Sequence, residues 1–222
     1  MIAVFTRVFT LAVLCCIATG AVAQNTVEDN LSTNARFLMA ARNADAAALS
    51  RELAAGAAVN SRNRLGESAL IIVLKKDRVD LADVLIDAGA DVNQPAVNGI
   101  TPLMAAAYGG HDAIVKRLLA KGADIRAVDR LQKNAMVYAA GEGRTEVVMT
   151  LIAAGIAPND VYANDLTPLM WAAGFGKTAT VRALLAAGAD ASRKDNRGKT
   201  AADMAREQGF NETVAVLQAA PR

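Results

Sequence analysis

Gly-Ala-like turns recur every 33 residues along this chain, at Gly56, Gly89, Gly122, Gly155 and Gly188. A fixed period in the low thirties, with helix-like apolar segments between the turns, specifies a stacked solenoid. Each unit of such a stack touches only its neighbours, and the stack presents one long exposed face. The period therefore decides the fold class and tilts the function toward binding.

The first 23 residues stand outside the repeat. Arg7 precedes an apolar run from Val8 to Ala18, and small residues lead to Ala21-Val22-Ala23 before Gln24. That is the layout of a secretory signal, with cleavage expected between Ala23 and Gln24. An uncleaved anchor is the alternative, although the run is short for a span of about 20 residues. A lipoprotein fits less well, because Leu14 stands before Cys15 and Cys16 where a small residue is expected. Both cysteines leave with the signal, so no disulfide or thiolate metal site is expected in the mature chain. Losing Arg7 from 24 basic residues leaves 23 against 22 acidic, a net charge of +1. Such a balance gives no electrostatic footprint for nucleic acid. No apolar run after residue 23 is long enough to span a membrane. Residues 24–33 are polar and read as a flexible leader.

On the 33-residue grid the units run 32–64, 65–97, 98–130, 131–163, 164–196 and 197–222. Ser68, Thr101, Asn134, Thr167 and Thr200 stand where a first helix would start, and each carries an oxygen that can accept a bond from an unpaired N–H. Pro102 and Pro168 follow at the position where a missing N–H costs nothing. Small residues such as Ala105-Ala106-Ala107 and Ala172-Ala173 let this helix lie close to its neighbours. Gly110, Gly143, Gly176 and Gly209 suit the left-handed turn that ends it. A second helix carries branched residues at helical spacing: Ile114, Leu118 and Leu119; Val147, Leu151 and Ile152; Val181, Leu184 and Leu185. Polar connectors follow, with Gly66, Gly99, Asp165 or Gly198 near the tip.

The chain resembles the ankyrin repeat family. The resemblance rests on Thr101-Pro102-Leu103-Met104-Ala105-Ala106-Ala107, on Gly110-His111, on Leu118-Leu119-Ala120-Lys121-Gly122-Ala123-Asp124, and on their counterparts 33 and 66 residues away. It extends from residue 34 to about 218 and implies an all-α solenoid of six helix-turn-helix units joined by hairpin-like loops. The family often has His after Thr-Pro-Leu; here the site holds Leu38, Ile71, Met104, Val137, Met170 and Asp203. Apolar packing must replace the bonds that histidine would make. The end units depart most, with Ala35-Arg36 in unit 1 and Arg206-Glu207-Gln208 in unit 6, as polar caps should.

Catalytic chemistry finds little equipment. His111 is the only histidine and stands where the family places a structural one, with no second histidine to complete a metal site. Gly176-Lys177-Thr178 and Gly198-Lys199-Thr200 resemble the end of a phosphate loop, but Trp171 and Arg193 replace its earlier glycine. Asp91, Asp124 and Asp190 lie one or more repeats apart, whereas an acid and its base must meet at one centre. No enzyme, metal or cofactor is expected.

Binding is better supplied. Tyr108, Tyr138, Trp171 and Phe175 all fall in the first helices of units 3 to 5, which in the family line a concave groove. Trp and Tyr are enriched in binding hot spots. The loop tips are expected to present Leu65, Ile100, Arg130, Leu131, Lys133, Leu166, Arg197 and Lys199, together with Arg64, Glu67, Asn98 and Asn164. The expectation is a periplasmic or secreted monomer that binds a protein partner. The alternative is a small-ligand or cell-wall-fragment receptor using the same groove.

Overall fold

The computed structural model describes residues 31–220. The signal reading and most of the leader lie outside these residues. Within them the chain forms six helix pairs: α1 (Thr33–Asn43) with α2 (Ala46–Ala54), α3 (Ala69–Leu74) with α4 (Val79–Asp87), and α5 (Pro102–Gly109) with α6 (Asp112–Ala120). The series continues with α7 (Ala135–Glu142) and α8 (Thr145–Ala153), α9 (Pro168–Gly174) and α10 (Thr178–Ala186), and α11 (Ala201–Glu207) and α12 (Asn211–Gln218). The fold is an all-α repeat solenoid.

Each first helix starts after an extended residue whose side-chain oxygen accepts an unpaired N–H of the first turn. Ser68, Thr101, Asn134, Thr167 and Thr200 accept bonds from the N–H groups of Ile71, Met104, Val137, Met170 and Asp203. The side chains of Ile71, Met104, Val137 and Met170 are buried, so apolar packing does fill the site where the family often has histidine. Asp203 instead bonds back to the N–H and hydroxyl of Thr200, at 3.0 and 2.7 Å.

Unit 1 corrects the sequence reading. Its helix is a turn longer, and Ser32 rather than residue 35 caps it by accepting from the N–H of Ala35. The polar leader therefore stops before Ser32. Glu52 occupies the position held by Leu85, Leu118, Leu151, Leu184 and Leu217 in later units, yet is only 3% exposed. Arg36 and Arg51 pair with its carboxylate at 3.0 and 3.3 Å, which is how an end unit can bury a charge.

The periodic glycines have φ between +83° and +109°, and a Cβ at any of them would meet nothing. Glycine is required there by backbone conformation, not by space. The core is one continuous cluster in which the small first helices and the branched second helices share a seam. First helices approach one another more closely along the stack than second helices do. The solenoid therefore curves with its first helices on the inner side. No described helix is long and apolar enough to cross a membrane.

Loops 55–68, 88–101, 121–134, 154–167 and 187–200 run beside this inner face. Asn63, Asp129 and Asp195 organise three of them. Each accepts two backbone N–H groups: Leu65 and Glu67, Leu131 and Lys133, Arg197 and Lys199. Asp91, Asp124 and Asp190 act alike on the N–H two residues ahead. Those carboxylates are loop structure, as their spacing implied.

Candidate partner-binding site

Two repeat positions, one in the loop and one eight residues on toward the end of the first helix, are paired in units 2 and 6. In unit 2 they are Glu67 and Lys75, paired at 2.7 Å. Unit 6 swaps the charges, with Lys199 and Glu207 at 2.6 Å. Partial burial pushes the Glu67 carboxyl up, but bonds from Lys75 and Asn63 outweigh it and hold the group below its ordinary value. Units 3 and 5 put Ile100 with Tyr108 and Leu166 with Gly174 in these places. Unit 4 keeps a cation, Lys133, but sets Gly141 opposite it.

Aromatic rings fill the space that Gly141 leaves. A Cβ on Gly141 would lie 3.7 Å from Phe175 and 3.9 Å from Trp171. Trp171 and Phe175 stack with centroids 6.1 Å apart and planes within 7°. The Lys133 ammonium sits 4.7 Å from the Trp171 ring centroid and 5.9 Å from that of Tyr138, a cation–π geometry. Tyr108 meets Tyr138 edge to face at 6.1 Å. The four aromatic residues expected at the site thus form one strip from unit 3 to unit 5, with Lys133 in its middle.

The strip has an anchored centre and free ends. Tyr138 donates its hydroxyl to Asp129 at 2.5 Å, and burial followed by this carboxylate raises the phenol's pKa. Trp171 is half-buried. Tyr108 and Phe175 are 51% and 55% exposed, large values for aromatic side chains on one face. Phe175 lies just beyond α9, as its C-cap.

The loop residues divide differently from the expectation. Leu65 and Leu131 project into solvent, at 64% and 67% exposed, and Arg130 is exposed beside Leu131. Ile100 and Leu166 do not project: both are half-buried against the core. Lys199 is taken by Glu207, and Arg197 turns onto Asp195 at 2.8 Å. Leu65 joins a separate trough with Leu38, Met39 and Ile72 in units 1 and 2. Lys133 makes no ion pair among the described residues.

The remaining motifs have structural work. The His111 imidazole lies 3.2 Å from Asp77 of unit 2, packed beside Gly109. Arg144 and Lys177, at the equivalent position, lie across Gly110 and Gly143 of the preceding unit. Thr178 shares a 2.9 Å hydroxyl bond with buried Thr213, and Thr200 is a helix cap. No group of three or more His, Cys, Asp or Glu that could hold a metal occurs among the described residues.

The family described as ankyrin repeats (3 copies) matches residues 37–129, 80–162 and 136–220. The chain belongs to the ankyrin repeat family. Its relatives include mouse inactive serine/threonine-protein kinase TEX14, 38% identical over 39% of this chain and 6% of that protein. Mouse inversin is 37% identical over 45% of this chain and 10% of its own length. Rat ankyrin repeat and SAM domain-containing protein 6 is 40% identical over 30% of this chain and 8% of its own. The matched segments thus span a tenth or less of these relatives, within which ankyrin repeats are one part.

Two ankyrin residues at this face escaped the sequence reading. Gly141 reads as one more small residue until it is aligned with Lys75 and Glu207, where its lack of charge becomes visible. Arg144 reads as a helix-start cation, yet its Nε donates to the Tyr108 carbonyl at 2.9 Å and helps line the trough beneath Tyr108.

Proposed function

We propose that this ankyrin solenoid is a protein-binding scaffold of the periplasm that grips its partner on the inner face of units 3 to 5. The carrying observation is the strip of Tyr108, Tyr138, Trp171 and Phe175, continuous over three units and exposed at both ends. Rigid amphipathic rings on a fixed backbone lose little entropy on binding and bury much area, which is the character of a hot spot. Exposed Arg130 and Leu131 flank the strip and supply a mixed rim. The trough beneath Tyr108, about 360 Å³, is open to solvent and suits a protruding side chain better than an engulfed small ligand. Export rests on Arg7, the apolar run from Val8 to Ala18, and Ala21-Val22-Ala23.

Affinity capture from a periplasmic extract tests the binding reading. The bait is run beside a folded Tyr108→Ala, Trp171→Ala, Phe175→Ala variant. A protein retained by the wild type alone is expected; identical retention by both would sink the inner-face reading. Export predicts a mature N-terminus at Gln24 by mass spectrometry, and retained Met1 would overturn it.

A further inference from the structure

Lys133 lacks the carboxylate that Lys75 and Lys199 each have. Units 2 and 6 show what this pair of positions holds when complete: an ammonium and a carboxylate at 2.6–2.7 Å, with either residue supplying either charge. Unit 4 retains the ammonium and deletes the acid, because Gly141 has no side chain to offer. Nor does the loop supply a substitute. Asp129 is committed to the Tyr138 hydroxyl and to the N–H groups of Leu131 and Lys133. The ammonium rests on ring faces instead, which leaves its hydrogen-bonding capacity unspent.

We infer that the partner segment received by this groove is acidic: it brings a carboxylate to Lys133 and an adjacent apolar or aromatic side chain to Phe175 and Tyr108. This deepens the protein-binding reading and rests on it. Charge complementarity points to this occupant. The absent acid of unit 4 is an internal template for a carboxylate arriving from outside, and the surrounding rings favour an apolar neighbour over a second charge. A charge-assisted bond over aromatic faces, shielded from bulk water by a docked chain, is stronger than the same bond at an open surface.

A random twelve-residue peptide library selected against the protein tests the assignment. Trp171 is the only tryptophan, so its fluorescence reports on the groove directly. Enriched peptides should carry Asp or Glu within two residues of Phe, Leu or Trp, and should perturb that fluorescence. Gly141→Glu restores the internal acid, and should weaken those peptides about tenfold, the scale of one charged contact. Gly141→Gln, equal in size but uncharged, should weaken them less. Lys133→Gln removes the cation from a loop and should reproduce the loss, which guards against a folding defect in α7. Lys133→Glu should reverse the selection toward Lys- or Arg-bearing peptides.

Selection without acidic enrichment, or equal affinity for Gly141→Glu and Gly141→Gln, would overturn the inference. If neutral apolar peptides still perturb Trp171 and are lost in the triple-alanine variant, the carboxylate assignment fails and the inner-face reading stands. If no peptide moves the Trp171 signal, both fail.

Discussion

Loops 88–101 and 121–134 are bonded to each other; loops 121–134 and 154–167, the next pair, are barely joined. In the first pair Asn93 clamps its neighbour twice. It accepts from the Asp124 N–H at 2.7 Å and donates to the Gly122 carbonyl at 2.9 Å. The Asn98 carbonyl accepts from the Arg130 N–H at 3.0 Å. Asn159 repeats both bonds with Asp190 and Gly188, and Asn60 repeats the one from the Asp91 N–H. In the second pair Arg126 replaces the asparagine, Ala157 replaces the aspartate, and the backbone bond is missing too. Arginine has no acceptor, so Arg126 is left with an exposed ion pair to Asp160 at 3.6 Å. Coupling at this joint passes instead through the helices: Thr145 to buried Thr180 at 2.8 Å, and Lys133 across to Trp171. The aromatic strip lies over the joint where the loop ribbon is weakest, so a docked partner would brace what the loops leave loose.

The largest effects should come from truncating one core position on either side of that joint. Leu85 and Leu184 occupy the same repeat position and are fully buried. Replacing either by Ala should cost about 2–5 kcal/mol. Because units couple only to neighbours, the damage should stay on its own side. Hydrogen exchange should rise in α9–α12 for Leu184→Ala while α3–α6 keep their protection, and the reverse should hold for Leu85→Ala. A uniform loss along the chain in both variants would mean that the missing loop bonds do not divide the stack.

The clamps themselves should show a smaller contrast. Asn93→Ala removes two exposed hydrogen bonds and should cost about 1 kcal/mol in denaturant unfolding. Arg126→Ala at the equivalent position should cost less than about 0.5 kcal/mol, as exposed ion pairs usually do. Arg126→Asn combined with Ala157→Asp should rebuild the clamp and gain about 1 kcal/mol. Equal costs for the two alanine variants, or no gain from the pair, would show that loop bonding is not what distinguishes the joints.

Much of this was legible before the structure, and what was not has a common cause. Helix starts could be read because Ser68, Thr101 and Thr167 act within three residues of themselves. The glycine period could be read because backbone conformation is also local. By contrast, Ala44, Asp77 and Gln132 adopt left-handed backbone with no glycine of their own to mark it, and only the glycines at the same repeat position in other units point to it. The tips misled for a similar reason. Ile100 and Leu166 turn toward the core while Leu65 and Leu131 do not, because the two pairs hold different loop positions, two residues apart. Lys199 and Lys133 share a position, and only the residue eight places on separates a neutralised lysine from an available one. Columns of the repeat, compared pairwise, carry that signal; a single unit does not.

The smallest effect expected is that of acid, and it should ignore the joint. Asp80 and Glu67 on one side and Asp195 and Asp203 on the other all ionise more readily than usual. For Asp80 the leading cause is the bond from Arg78, which lowers it to about 2. For Asp203 it is the bond from the Thr200 N–H. A carboxylate depressed in the folded state adds stability above its unfolded pKa, near 4, and loses it as pH falls through the folded value. Stability should therefore hold down to about pH 4 and then decline toward pH 2. Asp80 and Asp203 are exposed, so their share of the loss is shallow and screened by salt, whereas Glu67 and Asp195 are covered and less screened. Since both sides of the joint hold them, hydrogen exchange at pH 3 should rise evenly in α3–α6 and α9–α12. Loss confined to one side would mean that the two halves differ in their charges as well as in their loops.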